Sequence, residues 1–388
     1  MQTASVQLIR EINLKLLFNL IRQNGEESRA GLVQTTGLGK ATVSAIVDDL
    51  LSGGLVVEGG MVSGSVGRRP TMLGMNPNGP CLAALHVQTE RIIGALIDLE
   101  GRALERIDMP NRAAEGRSTI RVISEVLAAI AEAATRRRRR ILGAGVSLPG
   151  ILNPPGDVVL SAPGLGWRDV SLRRILERTV RFPIWLSDDA KMAALAEAAM
   201  GAGRGTETLL YLGLGATVSA GLVRHGRLAS GTHAGHLTVR YDGAECWCGN
   251  RGCLDTMVSE ESICRRAREL RQARHRQSIA EDNLSAFLLG ARADAGDPTA
   301  LRVIQEAGRW LGLAIANLIN LYQPELVLLG GWAVSANGAL LGVVRDEVHQ
   351  RALPALIRLM RIELAQLGED AVLMGASVMA LEGAIGSK

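Results

Sequence analysis

Three cysteines and one histidine in a short stretch constrain the folding of this chain more than any other feature of its sequence. The stretch runs from His236 to Cys253 and reads H-L-T-V-R-Y-D-G-A-E-C-W-C-G-N-R-G-C. Cys246, Cys248 and Cys253 fall within eight residues, and His236 lies ten positions before the first of them. Three thiolates and one imidazole form the ligand set of a closed tetrahedral zinc site. The stretch therefore predicts that these four residues converge on one metal ion.

The alternative for this stretch is a disulfide pair with one spare thiol. The N-terminus reads M-Q-T-A-S-V-Q-L-I-R-E and has no apolar secretory core, so we expect a cytoplasmic protein whose thiols stay reduced. Gly249 and Gly252 let the backbone turn tightly enough for three thiolates to face one ion. Four protein ligands leave no open position, so the predicted zinc ion is structural rather than catalytic.

The size and charge of the chain restrict the classes of protein to consider. Its 388 residues are 47% hydrophobic, which is enough material for two or three domains. The formal net charge of +4 permits nucleic-acid binding without demonstrating it. The most apolar long run, from Trp310 to Tyr322, carries Asn317 and Asn320 and is too short and too polar to span a bilayer.

The first eighty residues have the pattern of a helix-turn-helix module. Apolar residues at helical spacing from Val6 to Ile21 predict a first helix that Gly25 ends, and Ser28 is a good N-cap for a second. A turn with the sequence T-G-L-G leads into a third helix, K-A-T-V-S-A-I-V-D-D-L-L-S, whose first turn would present side chains to base edges. The residues predicted to contact DNA from these helices are Arg29, Lys40, Ala41, Thr42 and Ser44.

A hairpin with a basic tip follows the third helix. The sequence predicts strands at Leu55 to Glu58 and near Thr71 to Met75, joined by a glycine-rich loop. Arg68 and Arg69, between a glycine and a proline, suit insertion along a narrow minor groove. Together the segments predict a winged helix-turn-helix domain over residues 1–78. The alternative is a three-helix module for protein contacts with two solvated arginines.

The remainder of the chain, residues 79–388, alternates apolar runs with helical patterns. The same order of strands and helices occurs twice, which predicts two lobes of related fold around a cleft. We place lobe one at about residues 79–195 together with the C-terminal helix, and lobe two at about residues 196–375. Five consecutive arginines, 136 to 140, are interpreted as a solvated helix C-terminus that complements the helix dipole.

Several motifs in this sequence resemble those of the ROK family, which groups sugar-responsive repressors with sugar kinases. They are the N-terminal T-G-L-G-K-A-T-V-S with G-R-R-P, then G-V-S-L-P-G, S-A-P-G-L-G-W-R-D-V, D-D-A-K-M-A-A-L-A-E, C-W-C-G-N-R-G-C-L-D and A-N-L-I-N-L-Y-Q-P-E-L-V-L-L-G-G. The resemblance covers nearly the whole chain. It implies an α/β, actin-like, two-lobed sugar-kinase fold (ribonuclease H-like) behind the winged helix-turn-helix, and a homodimer or homotetramer.

Departures from the family pattern bear on catalysis. Family kinases carry a G-G-T phosphate loop where this chain has Gln88-Thr89-Glu90, and a second loop, G-T-G, is here Gly215-Ala216-Thr217. A glutamate beside nucleotide phosphates would repel them, and the missing glycines remove close backbone approach. Asp189 matches the family's catalytic aspartate, and the resemblance implies that it is kept as an acceptor for a ligand hydroxyl. The sequence therefore predicts a chain that is not an enzyme.

Positions that contact sugar in the family are also altered. Gly164 and Asp188 each stand where the family has asparagine, His233 replaces a glutamate, and Asp255 matches another glutamate. The residues predicted to form the effector site are Gly150, Gly164, Asp188, Asp189, His233, His236 and Asp255. A site built for particular hydroxyls discriminates strongly, so these changes predict a different sugar, a phosphorylated or amino sugar, or no ligand at all.

The sequence as a whole predicts a DNA-binding transcriptional regulator, a repressor of carbohydrate-metabolism genes controlled by a sugar or sugar-phosphate effector. Its expected partners are double-stranded operator DNA, that effector and further copies of the chain, and no membrane. Two alternatives remain: an ATP-dependent sugar kinase with a regulatory head, and a ROK body that binds a protein partner instead of a sugar.

Overall fold

The computed structural model describes residues 6–61, 71–112, 116–229, 231–272 and 284–386. It has mixed α/β structure and divides into two compact units. Unit one comprises Met1–Asp188 and Ala376–Lys388, and unit two comprises Asp189–Gly375. The N-terminal elements fall within unit one, so a separate head domain at residues 1–78 stays a prediction.

Within its described residues, unit one contains three N-terminal helices, two further helices and three small or medium-sized sheets. Its helices are α1 (Val6–Asn24), α2 (Arg29–Thr36), α3 (Lys40–Ser52), α4 (Gly116–Arg136) and α5 (Leu172–Leu176). Its first strands are β1 (Glu26–Ser28), β2 (Val56–Met61), β3 (Thr71–Met75), β4 (Cys81–Val87), β5 (Arg91–Ile97) and β6 (Ala103–Pro110). The later strands are β7 (Ile141–Ser147), β8 (Ile151–Leu152), β9 (Val159–Ala162), β10 (Trp167–Val170) and β11 (Ile184–Ser187).

In the part of unit two that the structure describes there is one sheet, together with most of the long helices. Its helices are α6 (Asp189–Met200), α7 (Asp255–Val258), α8 (Glu260–Gln272), α9 (Ala286–Asp294), α10 (Pro298–Tyr322), α11 (Asn337–Arg351) and α12 (Pro354–Ile357). Its strands are β12 (Thr208–Leu214), β13 (Val218–Arg224), β14 (Arg227–Leu228), β15 (Leu326–Gly331) and β16 (Arg361–Leu364). The last helix, α13 (Ala371–Gly386), begins in unit two and ends in unit one.

Short-range capping contacts set the limits of the N-terminal helices. Ser28 caps α2, and its Oγ accepts a hydrogen bond from the Gly31 N–H at 3.0 Å. Gly37 ends α2 in the left-handed region with φ of 69°, a conformation that costs an L-residue free energy. The helices predicted at Ser28 and Lys40 are thereby confirmed. The sequence did not predict β1, which pairs with β3 in an antiparallel sheet of order β1-β3-β2.

The hydrophobic core of the N-terminal helices extends into the rest of unit one. Leu17, Phe18 and Ile21 of α1 are buried against α3 and belong to the same cluster as Leu381 and Ile385 of α13. This shared core holds the first three helices on the C-terminal end of the chain, because burial of apolar surface is the main stabilising contribution in folding.

Each unit has a five-stranded sheet, and the two sheets have the same topology. The strand order is β6-β5-β4-β7-β11 in unit one and β14-β13-β12-β15-β16 in unit two. In both sheets the first three strands in chain order are antiparallel, the fourth pairs in parallel with the first, and the fifth pairs in parallel with the fourth. The predicted architectural repeat is confirmed at the level of the sheets.

The longest helix, α10, is fixed at its start by its own N-cap. Asp297 Oδ1 accepts hydrogen bonds from the N–H groups of Thr299 and Ala300 at 2.9 and 2.8 Å, and Pro298 occupies the first turn. One face of α10 packs in the core of unit two. No helix in the described ranges is both long and apolar enough to cross a membrane.

The run of five arginines contacts its own unit. Arg136 and Arg137 both form ion pairs with Glu105 of β6, at 2.8 and 2.5 Å. Arg139 donates to the carbonyl of Pro77. The first two cations follow or end α4, where positive charge complements the helix dipole, so the run is tied to the protein surface.

Candidate metal centre and ligand-binding residues

The four predicted metal ligands lie together in unit two. One ligand atom from each of His236, Cys246, Cys248 and Cys253 lies within 4.8 Å of the others. Cys248 Sγ is 3.7 Å from Cys253 Sγ, and Cys246 Sγ is 3.7 Å from His236 Nδ1. Two ligands bound to zinc at tetrahedral angles are about 3.6 to 3.8 Å apart, so both distances match edges of such a site. The cysteines are free thiols, and the disulfide alternative is not observed.

Backbone hydrogen bonds fold the stretch between these ligands into a compact loop. The N–H of Val239 donates to the carbonyl of Gly252 at 2.8 Å, and the N–H of Gly252 donates to that of Ala244 at 2.8 Å. Isolated β-bridges pair Thr238 with Cys253 and Glu245 with Arg251. Gly249 and Gly252 have φ of 88° and 69°, so both predicted tight turns use the left-handed region that favours glycine.

The thiols of this loop affect one another's ionisation. Burial, followed by the neighbouring Cys248 and Cys246 thiols, raises the pKa of Cys253 to about 12. Three thiolates this close repel one another unless a cation lies among them. A soft thiolate and imidazole donor set therefore fits a divalent metal ion such as zinc better than it fits three independent thiols.

Trp247 and Asp255 connect the loop to its surroundings. The Trp247 ring packs edge-on against His236 with centroids 4.8 Å apart, and its Nε1 donates to Asp255 Oδ2 at 3.1 Å. Asp255 Oδ1 accepts from the N–H of Val218 at 2.6 Å. Burial raises the pKa of Asp255, whereas both hydrogen bonds and the nearby His236 oppose that shift. Trp247 could not be predicted as part of this site, because a tryptophan between two cysteines has no fixed role in such a loop.

The predicted effector residues are divided between the two units. Gly150, Gly164 and Asp188 belong to unit one, and Asp189, His233, His236 and Asp255 belong to unit two. Asp189 is the first residue of α6. Burial is the main cause of the raised pKa of Tyr211, and the negative charge of Asp189 raises that pKa further. Both carboxylate oxygens of Asp255 are engaged within unit two, and His233 is exposed. The role of these residues in binding a sugar stays a prediction.

The segment Gln88-Thr89-Glu90, where the resemblance places the family's phosphate loop, is a closed hairpin turn between β4 and β5. The N–H of Gln88 donates to the carbonyl of Arg91 at 2.9 Å, and the Gln88 side chain accepts from Arg91 Nε at 2.9 Å. Asn111 donates to the carbonyl of Gln88 through Nδ2 at 2.7 Å and to that of Glu90 through its N–H at 2.7 Å. The Gln88 N–H is therefore used within the turn and is not directed at a phosphate.

The residues predicted to contact DNA have contrasting environments. Lys40, Ala41 and Thr42 are exposed at the start of α3, and Ser44 is half-buried. The opposite face of α3 is formed by the buried residues Val43, Ile46, Val47 and Leu50. Arg68 and Arg69 lie outside the described residues.

Arg29 differs from the other predicted DNA contacts because its guanidinium is bound within the module. Its Nη2 lies 2.8 Å from Asp48 Oδ1 and 3.4 Å from Glu58 Oε1. Its Nη1 donates to the carbonyl of Ser44 at 3.4 Å. Arg29 thus connects α2, α3 and β2, and a contact with DNA would have to compete with two carboxylates.

Comparison with known proteins gives consistent matches over this fold. The model of the ROK family matches residues 83–383. The chain is 28% identical to a xylose repressor of Caldicellulosiruptor bescii over 384 residues, which cover 96% of each chain. It is 31% identical to a glucokinase of Halalkalibacterium halodurans over 293 residues, or 72% of this chain and 89% of the glucokinase. A crystal structure of a ROK family transcriptional regulator, a homologue of the Escherichia coli MLC protein, superposes with a TM-score of 0.84 at 25% identity over 97% of each chain.

Proposed function

The chain belongs to the ROK family, and we propose that it is a DNA-binding transcriptional repressor that responds to a sugar or sugar phosphate. One observation carries this proposal. Similarity to the xylose repressor extends over 96% of the chain and so includes N-terminal residues, whereas the glucokinase aligns with only 72% of it. A full-length match to a repressor at 28% identity supports repressor function for the whole chain, including its N-terminal module.

The N-terminal module acts as a winged helix-turn-helix in this proposal. Its α2 and α3 are joined by a short glycine-containing turn, and β2 and β3 follow as a hairpin. The buried face of α3 anchors that helix in the core, which leaves Lys40, Thr42 and Ser44 to approach a DNA groove. Arg68 and Arg69 keep the minor-groove role predicted from the sequence, and Arg29 holds α3 in position through Asp48.

The chain does not act as a kinase in this proposal. The turn at Gln88-Thr89-Glu90 is closed by its own backbone hydrogen bonds and those of Asn111. Phosphate loops depend on free backbone N–H groups and on glycines that allow close approach. Asp189 then serves as a hydrogen-bond acceptor for a sugar hydroxyl, together with Gly150, Gly164, Asp188, His233, His236 and Asp255.

Zinc is the metal that fits the cluster of His236 and the three cysteines. The cluster offers four protein ligands whose sulfur and nitrogen donor atoms have the type and spacing that structural zinc prefers, and no fifth donor is required. A bound ion would link the loop of residues 236–253 to Asp255 through His236 and Trp247. The metal thereby supports residues of the proposed effector site without taking part in chemistry.

In vitro selection of bound DNA with the full-length, zinc-loaded protein tests the proposal. The selection is repeated with a panel of sugars and sugar phosphates, and the expected result is one enriched operator sequence whose binding changes with one class of ligand. Operator binding should also weaken steeply with salt, because phosphate contacts release counterions. Absence of any sequence-preferring, salt-sensitive binding would overturn the repressor function, whereas operator binding that no ligand alters would overturn only the sugar response.

A further inference from the structure

A cavity in unit two, remote in sequence from most of the proposed effector residues, has the composition of an anion site. It has a volume of about 690 Å³ and lies among α7, α8, α10, α11 and the loop that carries the metal ligands. That volume is within the range of small-molecule sites, about 300 to 1,000 Å³. None of the seven proposed effector residues lines it.

Arginine dominates the rim of this cavity. Five arginines and three glutamates line it, which leaves a formal excess of two positive charges. The arginines are Arg240, Arg265, Arg266, Arg309 and Arg351. Each guanidinium presents a fixed fork of N–H donors that matches the oxygens of a phosphate group.

The glutamates of the rim engage most of these arginines but not all. Glu306 pairs with Arg266 at 2.7 Å, and Glu269 lies 3.2 Å from Arg266 and 3.9 Å from Arg265. Arg351 pairs with Glu347 at 2.7 Å. Arg309 of α10 is exposed and forms no ion pair or hydrogen bond with any residue that the structure describes. Its guanidinium is therefore available to a ligand.

The floor of the cavity is apolar. Met257, Trp310 and Leu313 line it with half-buried apolar side chains, and Ile263, Val303 and Ala307 are buried beneath them. A bare inorganic ion would use only the rim, whereas an organic phosphate would also cover this apolar surface and gain from its removal from water. A phosphate monoester carries about −1.5 to −2 charges at pH 7, which matches the excess charge of the rim.

We propose that this cavity binds a small organic phosphate, with its phosphate at Arg309 and its organic part on the floor beside Trp310. The site is additional to the effector site, and it does not depend on the repressor function. Since Arg240 and Ala244 of the metal-ligand loop line it, an occupied cavity also contacts the segment that holds the metal.

Isothermal titration of the full-length, zinc-loaded protein with phenyl phosphate tests this site, because phenyl phosphate has no sugar hydroxyls for the effector site. Phenol and inorganic phosphate serve as reference ligands, and both are expected to bind more weakly than the monoester. Arg309→Gln should weaken phenyl phosphate binding about tenfold or more, the usual effect of losing a charge-assisted hydrogen bond. Arg361→Gln is the matched control, because Arg361 is an exposed, paired arginine of unit two outside the cavity.

A second variant gives an effect of opposite sign. Glu269→Gln removes the carboxylate that competes for Arg265 and Arg266, so we expect phenyl phosphate to bind more tightly by about threefold. Equal binding in Arg309→Gln and Arg361→Gln, or no saturable binding to the parent protein, would overturn the proposal. Sedimentation is measured in parallel. If Arg309→Gln changes the number of subunits and leaves phenyl phosphate binding unaltered, the cavity is an interface between copies of the chain and the proposal fails.

Discussion

Gly252 lies directly against the carbonyl oxygen of Arg240, and a Cβ built on Gly252 would come within 1.5 Å of that oxygen. The contact is between two backbone segments of the metal-ligand loop, so no side-chain rotation relieves it. Gly252 also has φ of 69°, which is unfavourable for any other residue. The loop can close around its ligands only when this position is glycine.

Gly252→Ala is therefore expected to disrupt the metal centre. Bound zinc, measured by elemental analysis, should fall well below one ion per chain, and the melting temperature should fall with it. Gly249→Ala is the matched control, because Gly249 has a similar φ of 88° but open space around its Cβ position. That control should cost only about 1 to 2 kcal/mol of stability and retain zinc. Equal zinc content in the two variants would show that the Arg240 contact is unimportant.

Cys248→Ser should remove the metal with little direct effect on packing. Cys248 is exposed, so its thiol contributes to stability mainly as a ligand. We expect loss of zinc and a lower melting temperature, and treatment of the parent protein with a chelator should reproduce both. Cys264→Ser is the control, since this cysteine is buried in the core of unit two away from the cluster. It should lower stability but keep zinc, and full zinc in Cys248→Ser would contradict the proposed ligand set.

Lys40→Ala should weaken operator binding without altering the preferred sequence. Lys40 is exposed at the first position of α3, where a cation suits a DNA phosphate. The slope of log affinity against log salt concentration should fall by about one unit, as expected for one lost phosphate contact. Lys15→Ala on α1 makes the same charge change elsewhere in the module. If both variants lose affinity equally, the effect is one of overall charge and not of α3.

The Arg266–Glu306 ion pair predicts a pH-dependent contribution to stability. The hydrogen bond from Arg266 is the main cause of the lowered pKa of Glu306. A lowered folded-state pKa means that the stabilisation is present above the unfolded value, about 4.3 for glutamate, and is lost as pH falls through the folded value. A double-mutant cycle with Arg266→Gln and Glu306→Gln should give a coupling of about 1 kcal/mol or less at pH 7, because the pair is partly solvated. Denaturant unfolding should show a coupling that decreases as the pH is lowered from 7 through the acid range, and a coupling that does not change with pH would contradict the ionic origin.

The closed turn at Gln88 predicts that the protein does not release ADP from ATP when sugars are added. A ROK glucokinase assayed in parallel shows that the assay detects such activity. Asp189→Asn should then have no catalytic phenotype but should weaken the response of operator binding to its sugar ligand. Sugar-dependent ADP release that disappears in Asp189→Asn would instead establish a kinase.

Local sequence signals predicted the elements well, and the exceptions have physical causes. Ser28, Gly37 and the apolar spacing of α3 predicted the limits of the N-terminal helices because capping and amphipathicity act within a few residues. The apolar spacing of α1 could not show which of its apolar residues are buried. Leu17 and Ile21 are buried there, whereas Leu8, Ile12 and Leu16 are more than 40% exposed. Which apolar face of a helix is covered depends on the elements that pack against it.

The cluster of one histidine and three cysteines could be predicted from the sequence, whereas the buried contacts of Glu197 could not. His236, Cys246, Cys248 and Cys253 were identifiable because a zinc site imposes residue types and close spacing along the chain. Glu197 had no comparable signal. It is fully buried in α6 and accepts hydrogen bonds from the N–H groups of Gln366 and Leu367 at 2.8 Å, about 170 residues away.

The sequence by itself predicted the N-terminal helices, the repeated order of strands and helices, the cluster of one histidine and three cysteines, and the family. These follow from short-range constraints, since helix caps, turn residues and ligand spacing act between near neighbours in the chain. Only the tertiary structure showed that Asp255 accepts hydrogen bonds from Val218 and Trp247 and that Asn111 donates a hydrogen bond to the carbonyl of Gln88. It also showed that five arginines line one cavity. Those contacts join segments far apart in sequence, and their partners are selected by packing of the whole fold and not by local propensity.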